Sequence, residues 1–254
     1  MKTALLCVSF GTSVPSARES ITAVENALRE EAPQADFFRA FTSPTIRRLL
    51  LRGGEDVKSP KEALKELAAL GYDHVILQPT HLLYGIEYDN LRACAQECES
   101  LFPRLTLGLP LLAGSGELCG LAHILETEYP PEDGLAFVFM GHGTPHFSNL
   151  VYPALQAVFH MDGRKDCFVG TVEGWPDLPT VVKELHESRF SRVRLVPLML
   201  VAGDHALHDM DGDDPESWSS TLAREGFSVD CVMQGLGMLR GVQDLYRRHL
   251  RALL

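Results

Sequence analysis

Phe137-Val138-Phe139-Met140-Gly141-His142-Gly143-Thr144-Pro145-His146 is a run of apolar, strand-forming residues that stops abruptly in Gly-His-Gly-Thr. The pattern predicts a buried strand opening at its carboxyl end into a tight turn. Glycines on both sides let the backbone bend sharply and leave the imidazole of His142 uncrowded. In open α/β sheets ligands sit beyond the carboxyl ends of strands, so this histidine is placed where chemistry is expected.

Working outward, further apolar segments at 4–10, 36–41, 74–79, 105–109, 167–172, 193–198 and 228–233 predict strands. Helical stretches lie between most of them: 20–29 behind Ser13 and Pro15, one starting at Ser59-Pro60, then 87–101, 116–128, 148–160, 177–188, 215–225 and 238–252. Strand and helix alternate throughout, which predicts parallel sheets wrapped by helices.

The sequence also repeats itself. Lys65-Glu66-Leu67, Val75, Leu77, Pro79, Leu82 and Gly85 recur at constant spacing as Lys183-Glu184-Leu185, Val193, Leu195, Pro197, Leu200 and Gly203. Val8-Ser9-Phe10-Gly11-Thr12 likewise mirrors Met140 to Thr144. We therefore expect an α/β protein of two similar halves, each a parallel sheet flanked by helices, with a cleft between them. The expected division is 1–130 and 131–254, at the Pro/acid/Gly stretch Tyr129-Pro130-Pro131-Glu132-Asp133-Gly134.

Three strand ends of the second half carry polar residues that the first half largely lacks. The first strand ends at His142, the next runs into Glu173-Gly174-Trp175, and the third into Gly203-Asp204-His205. Parallel neighbours would project His142, Glu173 and His205 from one sheet edge. Two imidazoles and a carboxylate suit a borderline divalent ion, and three ligands leave positions open. Each residue also has a blander role: His142 as a strand-end hydrogen bonder, Glu173 as a helix-entry acid, His205 as a partner of Asp204 or Asp209. The acidic loop 209–215 has its glycine, Gly212, too early for a calcium-binding EF-hand loop. Gly11-Thr12-Ser13 before a helix offers backbone N–H groups to an anion, without the lysine of a phosphate-binding loop.

Composition narrows the functions. A formal charge of −11 over 254 residues, with 45% apolar content, argues against nucleic acid or an anionic membrane as main partner. The apolar start 4–10 enters Gly11-Thr12-Ser13 with no cleavage pattern and reads as a strand rather than a signal; no segment has the length of a membrane span. Six scattered cysteines, at 7, 94, 98, 119, 167 and 231, read as buried thiols in a reducing cytoplasm.

The segments LLCVSFGTS (Leu5 to Ser13), Phe38 to Ser43, Phe139 to Gly143 and Pro197 to His205 together resemble the anaerobic cobalt chelatases of the CbiK type, sirohydrochlorin cobaltochelatases within the class II chelatases. The resemblance runs from about residue 3 to beyond Trp218. It implies a tetrapyrrole held between two Rossmann-like halves and insertion of Co²⁺ into sirohydrochlorin with loss of two protons, toward cobalamin. By position, it makes His142, Glu173 and His205 the metal residues. It also matches a family acid to Glu87; proton removal is then expected of His142 and Glu87. Carboxylates of such a substrate are expected to meet backbone N–H groups of Ser9, Phe10, Gly11, Thr12 and Ser13 or local cations. Arg39, Arg47 and Arg48 are candidate partners for substrate carboxylates. The metal is substrate and no organic cofactor is expected. Fe²⁺ insertion and a non-catalytic metal or tetrapyrrole carrier are the alternatives; a homo-oligomer is left open.

Overall fold

A computed structural model describes residues 2–254. Two four-stranded, all-parallel sheets organise the chain, and both have the same topology. β1 (Thr3–Ser9), β2 (Asp36–Phe41), β3 (His74–Pro79) and β4 (Arg104–Leu107) stand in the order β2-β1-β3-β4. β5 (Leu135–Gly141), β6 (Cys167–Thr171), β7 (Arg192–Pro197) and β8 (Ser228–Cys231) repeat it as β6-β5-β7-β8. The internal repeat is therefore a repeat of register: Leu6 pairs with Leu77 and Val8 with Pro79, as Val138 pairs with Leu195 and Met140 with Pro197. Even the bond just past the strands recurs, Thr80 N–H to Val8 O at 2.8 Å and Leu198 N–H to Met140 O at 2.7 Å.

Nine α-helices connect the strands among the described residues: α1 (Arg18–Glu31), α2 (Pro44–Arg52), α3 (Pro60–Ala69), α4 (Ile86–Cys98), α5 (Ser115–Glu128), α6 (Val151–Met161), α7 (Leu178–His186), α8 (Trp218–Arg224) and α9 (Arg240–Arg251). The inner strands β1, β3 and β5 are buried almost throughout because both sheet faces are covered there. In the first sheet Ala4, Leu6 and Val8 pack with Ala63, Leu64 and Leu67 of α3 and Leu91 and Ala95 of α4, while the alternate residues Leu5 and Cys7 are equally buried. In the second, Ala136, Val138 and Met140 pack with Val181 and Leu185 of α7 and Trp218 and Leu222 of α8. Phe139, pointing the other way, stacks on Phe159 of α6 at 5.2 Å between ring centres. α3 starts where Ser59-Pro60 indicated: Ser59 and Glu62 cap each other reciprocally, and proline fills the first turn.

The chain divides into two compact units, one of residues 1–113 with 237–254, the other 114–236. The division expected at 130 is thus displaced at both ends. α5 belongs to the second unit, packed on α6, and α9 returns to the first, packed on α1. The Pro/acid/Gly stretch is no linker. It is a turn inside the second unit: Arg164 donates to Tyr129 O at 2.8 Å, Arg192 donates to Asp133 O at 2.7 Å, and the Tyr129 ring packs on Phe137 and Phe139. α9 is fixed in the first unit by Tyr246, wholly buried, whose hydroxyl donates to Thr80 O at 2.6 Å. Two other expectations change. α1 begins at Arg18 after a turn, with Ala17 at its N-cap and no side-chain cap, so Ser13 does not cap it. α8 begins at Trp218 rather than 215, capped by Ser217, whose hydroxyl accepts from Ser220 N–H at 3.2 Å.

Candidate functional site

In the second unit the strand order places β5 between β6 and β7. Chain connections leave β5 in opposite directions on its two sides, and such a reversal opens a crevice beyond the carboxyl ends. His142 follows β5, Glu173 follows β6 and His205 follows β7. The pairing of β5 with β6 continues past the sheet: Val172 N–H donates to Gly141 O at 3.0 Å and Glu173 N–H to His142 O at 2.7 Å. His142 and Glu173 are therefore set side by side by backbone bonds, not by side-chain flexibility.

Gly143 makes this approach geometrically feasible. Its φ is +84°, and a Cβ there would lie 2.6 Å from Gly174 N and 2.9 Å from Glu173 C. Gly141 is equally constrained, since a Cβ would meet the Tyr152 ring at 2.2 Å. Two side chains of the following segment then lock the loops. Tyr152, buried on α6, accepts from Gly143 N–H at 3.3 Å, and burial raises its phenol pKa, keeping it neutral. Asn149 accepts from Thr144 N–H at 3.0 Å and donates to Trp175 O at 2.6 Å, tying the His142 loop to the Glu173 loop. Sequence reading missed both residues; Asn149 sits in the short 3₁₀ turn 147–150, at the start of the expected helix, with no pattern to single it out.

His142 is the hub of the set. Its Nδ1 lies 3.9 Å from Glu173 Oε2, and its ring meets that of His205 edge to face at 4.5 Å between centres. Nδ1 of His142 is also 2.8 Å from Gly143 O. A carbonyl oxygen only accepts, so that bond puts the proton on Nδ1 and leaves the Nε2 lone pair free. His205 has the same arrangement, with Nδ1 2.5 Å from Asp209 Oδ2. Both imidazoles thus present Nε2 as an acceptor or metal ligand. All three side chains are partly exposed: 46% for His142, 56% for Glu173 and 33% for His205. Among the described residues no group of three His, Cys, Asp or Glu side chains is drawn tightly enough to hold an ion as it stands. What the fold supplies is adjacency through His142.

The same three loops expose large apolar groups, namely Phe147 (81%), Trp175 (57%) and Leu207 (42%). Apolar surface beside a few convergent polar groups is the make-up of a small-molecule site. The two spare histidines do other work. His146 Nδ1 accepts from Ser148 N–H and caps a short 3₁₀ turn. His208 pairs with Asp204 at 3.2 Å.

Of the residues expected in the first unit, Glu87 lies in the first turn of α4. In the loop after β1, Ser9 and Thr12 are buried and used internally. Ser9 Oγ accepts from Thr80 Oγ1 at 2.7 Å, and Thr12 Oγ1 accepts from Val14 N–H at 3.1 Å. Gly11, at φ +97°, is also buried, with the Phe41 ring where a Cβ would go. Only Phe10, 50% exposed, and Ser13 face outward. The loop is stitched to β2 by Thr42 N–H to Ser9 O at 2.9 Å and Ser43 N–H to Phe10 O at 3.2 Å. It is not a helix N-terminus, because α1 starts five residues further on. Of the candidate cations, Arg39 is engaged with Glu25, which is wholly buried, at 2.7 Å, and Arg47 pairs with Glu62 at 2.8 Å. Arg48 bonds only within its own helix, to Pro44 O and Thr45 Oγ1.

The sequence pattern of the cobalt chelatase (CbiK) family matches residues 3–254. A sirohydrochlorin cobaltochelatase of Salmonella typhimurium is 38% identical over 257 residues, covering 100% of this chain and 97% of the relative. A second, the sirohydrochlorin cobaltochelatase CbiKC of Nitratidesulfovibrio vulgaris, is 35% identical, covering 99% and 90%. In three dimensions the chain is similar to SirB from Bacillus subtilis with Fe³⁺, at a TM-score of 0.64 and 14% identity over 99% of this chain and 95% of that one. It is similar also to the sirohydrochlorin chelatase SirB from Bacillus subtilis subspecies spizizenii in complex with cobalt, at 0.60 and 14%, over 99% and 94%. At that identity the likeness speaks for the fold. Among the described residues no helix is long and apolar enough to cross a membrane.

Proposed function

The chain belongs to the cobalt chelatase (CbiK) family, and from that premise we propose that it inserts Co²⁺ into sirohydrochlorin with release of two protons, toward cobalamin. One observation carries the assignment to named residues. Two imidazoles with free Nε2 atoms and a carboxylate stand together on loops that also expose Phe147, Trp175 and Leu207.

Insertion must strip water from the ion, bring pyrrole nitrogens to it and remove two N–H protons. His142 Nε2, Glu173 and His205 Nε2 replace water ligands while leaving positions open toward the macrocycle. Glu173 offsets part of the ionic charge. As a pyrrole nitrogen takes the ion, the bond from His142 Nε2 breaks, and the lone pair so released accepts that pyrrole's proton. His142 thus serves in turn as ligand and base. Glu87 relays the second proton, and the exposed aromatic side chains press on the apolar ring faces. Phe10 and Ser13 are the members of the β1 loop left to meet the substrate, and Arg48 is the least committed of the three candidate arginines. The six cysteines are all free thiols, which supports a reducing, cytoplasmic setting.

Fe²⁺ is the competing metal, because such a donor set separates first-row ions weakly. A carrier would bind one equivalent and stop. The test is sirohydrochlorin absorbance with catalytic amounts of protein and either Co²⁺ or Fe²⁺. The proposal expects many turnovers with Co²⁺, and loss of insertion but not of tetrapyrrole affinity in His142→Ala. Uptake that ends at one equivalent would make the chain a carrier.

A further inference from the structure

His205 and Asp209 stand four residues apart, at the mouth of a turn of unusual width. Asp211 N–H bonds to Ala206 O, five residues back, at 3.2 Å, so residues 206–210 form a single π-turn rather than an α-turn. Such turns shift the side chains of a helix out of ordinary register and are frequent at functional sites. This one is held from both sides. Ala206 and Met210 are wholly buried in the core of the second unit, and a Cβ on Gly212 would lie 2.3 Å from His208 O, which closes the turn behind it. Asp209 is therefore fixed at the backbone, and its carboxylate meets His205 Nδ1 at 2.5 Å.

We propose that Asp209 is a positioning residue for metal delivery. It fixes His205 as the Nδ1–H tautomer, holds the ring edge-on to His142, and strengthens Nε2 as a donor to the incoming divalent ion. A carboxylate behind a ligating imidazole is the general means of fixing both tautomer and orientation, and its loss typically costs 10–100-fold in metal affinity or activity. Pairing of His205 with an acid is then the source of its ligand role and not an alternative to it. The neighbouring pair, His208 with Asp204, has the same composition and spacing but is largely solvated, at 71% and 82% exposure. It supplies an internal control. The proposal rests on His205 being a metal residue, so the experiment separates the two.

Co²⁺ titrations followed by the visible d–d bands are compared for the parent protein, Asp209→Ala, Asp209→Asn, Asp204→Ala and His205→Ala, with thermal melting as a check of folding. Asp209→Ala should weaken Co²⁺ binding about 10–100-fold, raise the KM for Co²⁺ to match, alter the d–d bands, and leave sirohydrochlorin affinity unchanged. Asp209→Asn, which keeps an oxygen acceptor for Nδ1–H, should recover much of that loss. Asp204→Ala should bind as the parent does. Parent-like affinity and spectrum in a folded Asp209→Ala, with His205→Ala impaired, would overturn the positioning role alone. Parent-like binding in His205→Ala would overturn the ligand assignment on which it stands.

Discussion

Adding one methyl group at Gly143 tests how the site is built. Gly143→Ala meets two separable costs. Its φ of +84° lies in the left-handed region, which an L-residue occupies at about 1–2 kcal/mol. Its Cβ would also sit 2.6–2.9 Å from Gly174 N, Glu173 C and Thr171 Cβ. None of these is the loose end of a flexible side chain, and overpacking of that kind costs about 1–3 kcal/mol. The sum is about 2–5 kcal/mol, which at about 2–4 °C per kcal/mol lowers the melting temperature by roughly 4–20 °C. Gly163→Ala isolates the first cost: its φ is +88°, with nothing within 4 Å of the new methyl, so about 1–2 kcal/mol is expected. The clash also pushes the Glu173 loop from the His142 loop, so Gly143→Ala, unlike Gly163→Ala, should raise the KM for Co²⁺. Melting by circular dichroism and initial rates against Co²⁺ concentration measure both. If the two variants melt together and share the parent KM, the close approach of these loops does not set the site.

Other expectations follow from single bonds. Asn149→Ala removes the link from Thr144 N–H to Trp175 O, and should cost about 1–3 kcal/mol and raise the KM for Co²⁺; an unchanged KM would mean that the loops hold without it. Tyr152→Phe leaves the buried Gly143 N–H without its acceptor, a loss of about 1–3 kcal/mol readable by denaturant unfolding. Burial pushes His81 down to about 4, and neither ring nitrogen has a hydrogen-bond partner. Its unfolded pKa is near 6.5, so between the two values the unfolded chain binds more protons and stability falls as pH drops. The loss by pH 4 is up to about 3 kcal/mol. Unfolding free energies at pH 7 and pH 5 should converge in His81→Phe relative to the parent, and parallel curves would contradict the cause given. Ser59→Ala breaks the reciprocal cap of α3 and should cost about 1 kcal/mol, without effect on Co²⁺ kinetics.

The parts of this fold legible in the sequence are those written in local pattern. The inner strands β1, β3 and β5 are nearly continuous buried runs, because both sheet faces are covered there, while the edge strands β2, β4 and β8 carry polar residues and are less buried. The repeat reported register because Val8 and Met140 must each face a proline at the end of the next strand. Helix α2 was not legible. Its cues were present, Ser43 and Pro44 at its start and Ile46, Leu49 and Leu50 at helical spacing, but it is only nine residues long and buries no residue fully. The true division of the chain was hidden for another reason. Which unit receives α9 is decided by packing on α1, far away in sequence, and α5 joins the second unit by packing on α6 across the 130–134 turn, while Pro130-Pro131 and Gly134 look alike in a linker and in a tight turn. At the site, strand ends pointed to His142, Glu173 and His205 as separate residues. Asp209 was visible only as one of two acids that could pair with His205, while the Gly143 carbonyl, Asn149 in a 3₁₀ turn and Tyr152 on α6 serve the site through angles and spacing that no local pattern announces.

X-ray absorption at the cobalt edge, on protein loaded with one equivalent of Co²⁺, interrogates the ligand set itself. The account predicts two imidazole ligands with oxygen atoms completing the shell, one imidazole remaining in either His142→Ala or His205→Ala, and one oxygen ligand exchanged for water in Glu173→Ala. A spectrum without imidazole scattering, or one that neither histidine variant alters, would contradict it.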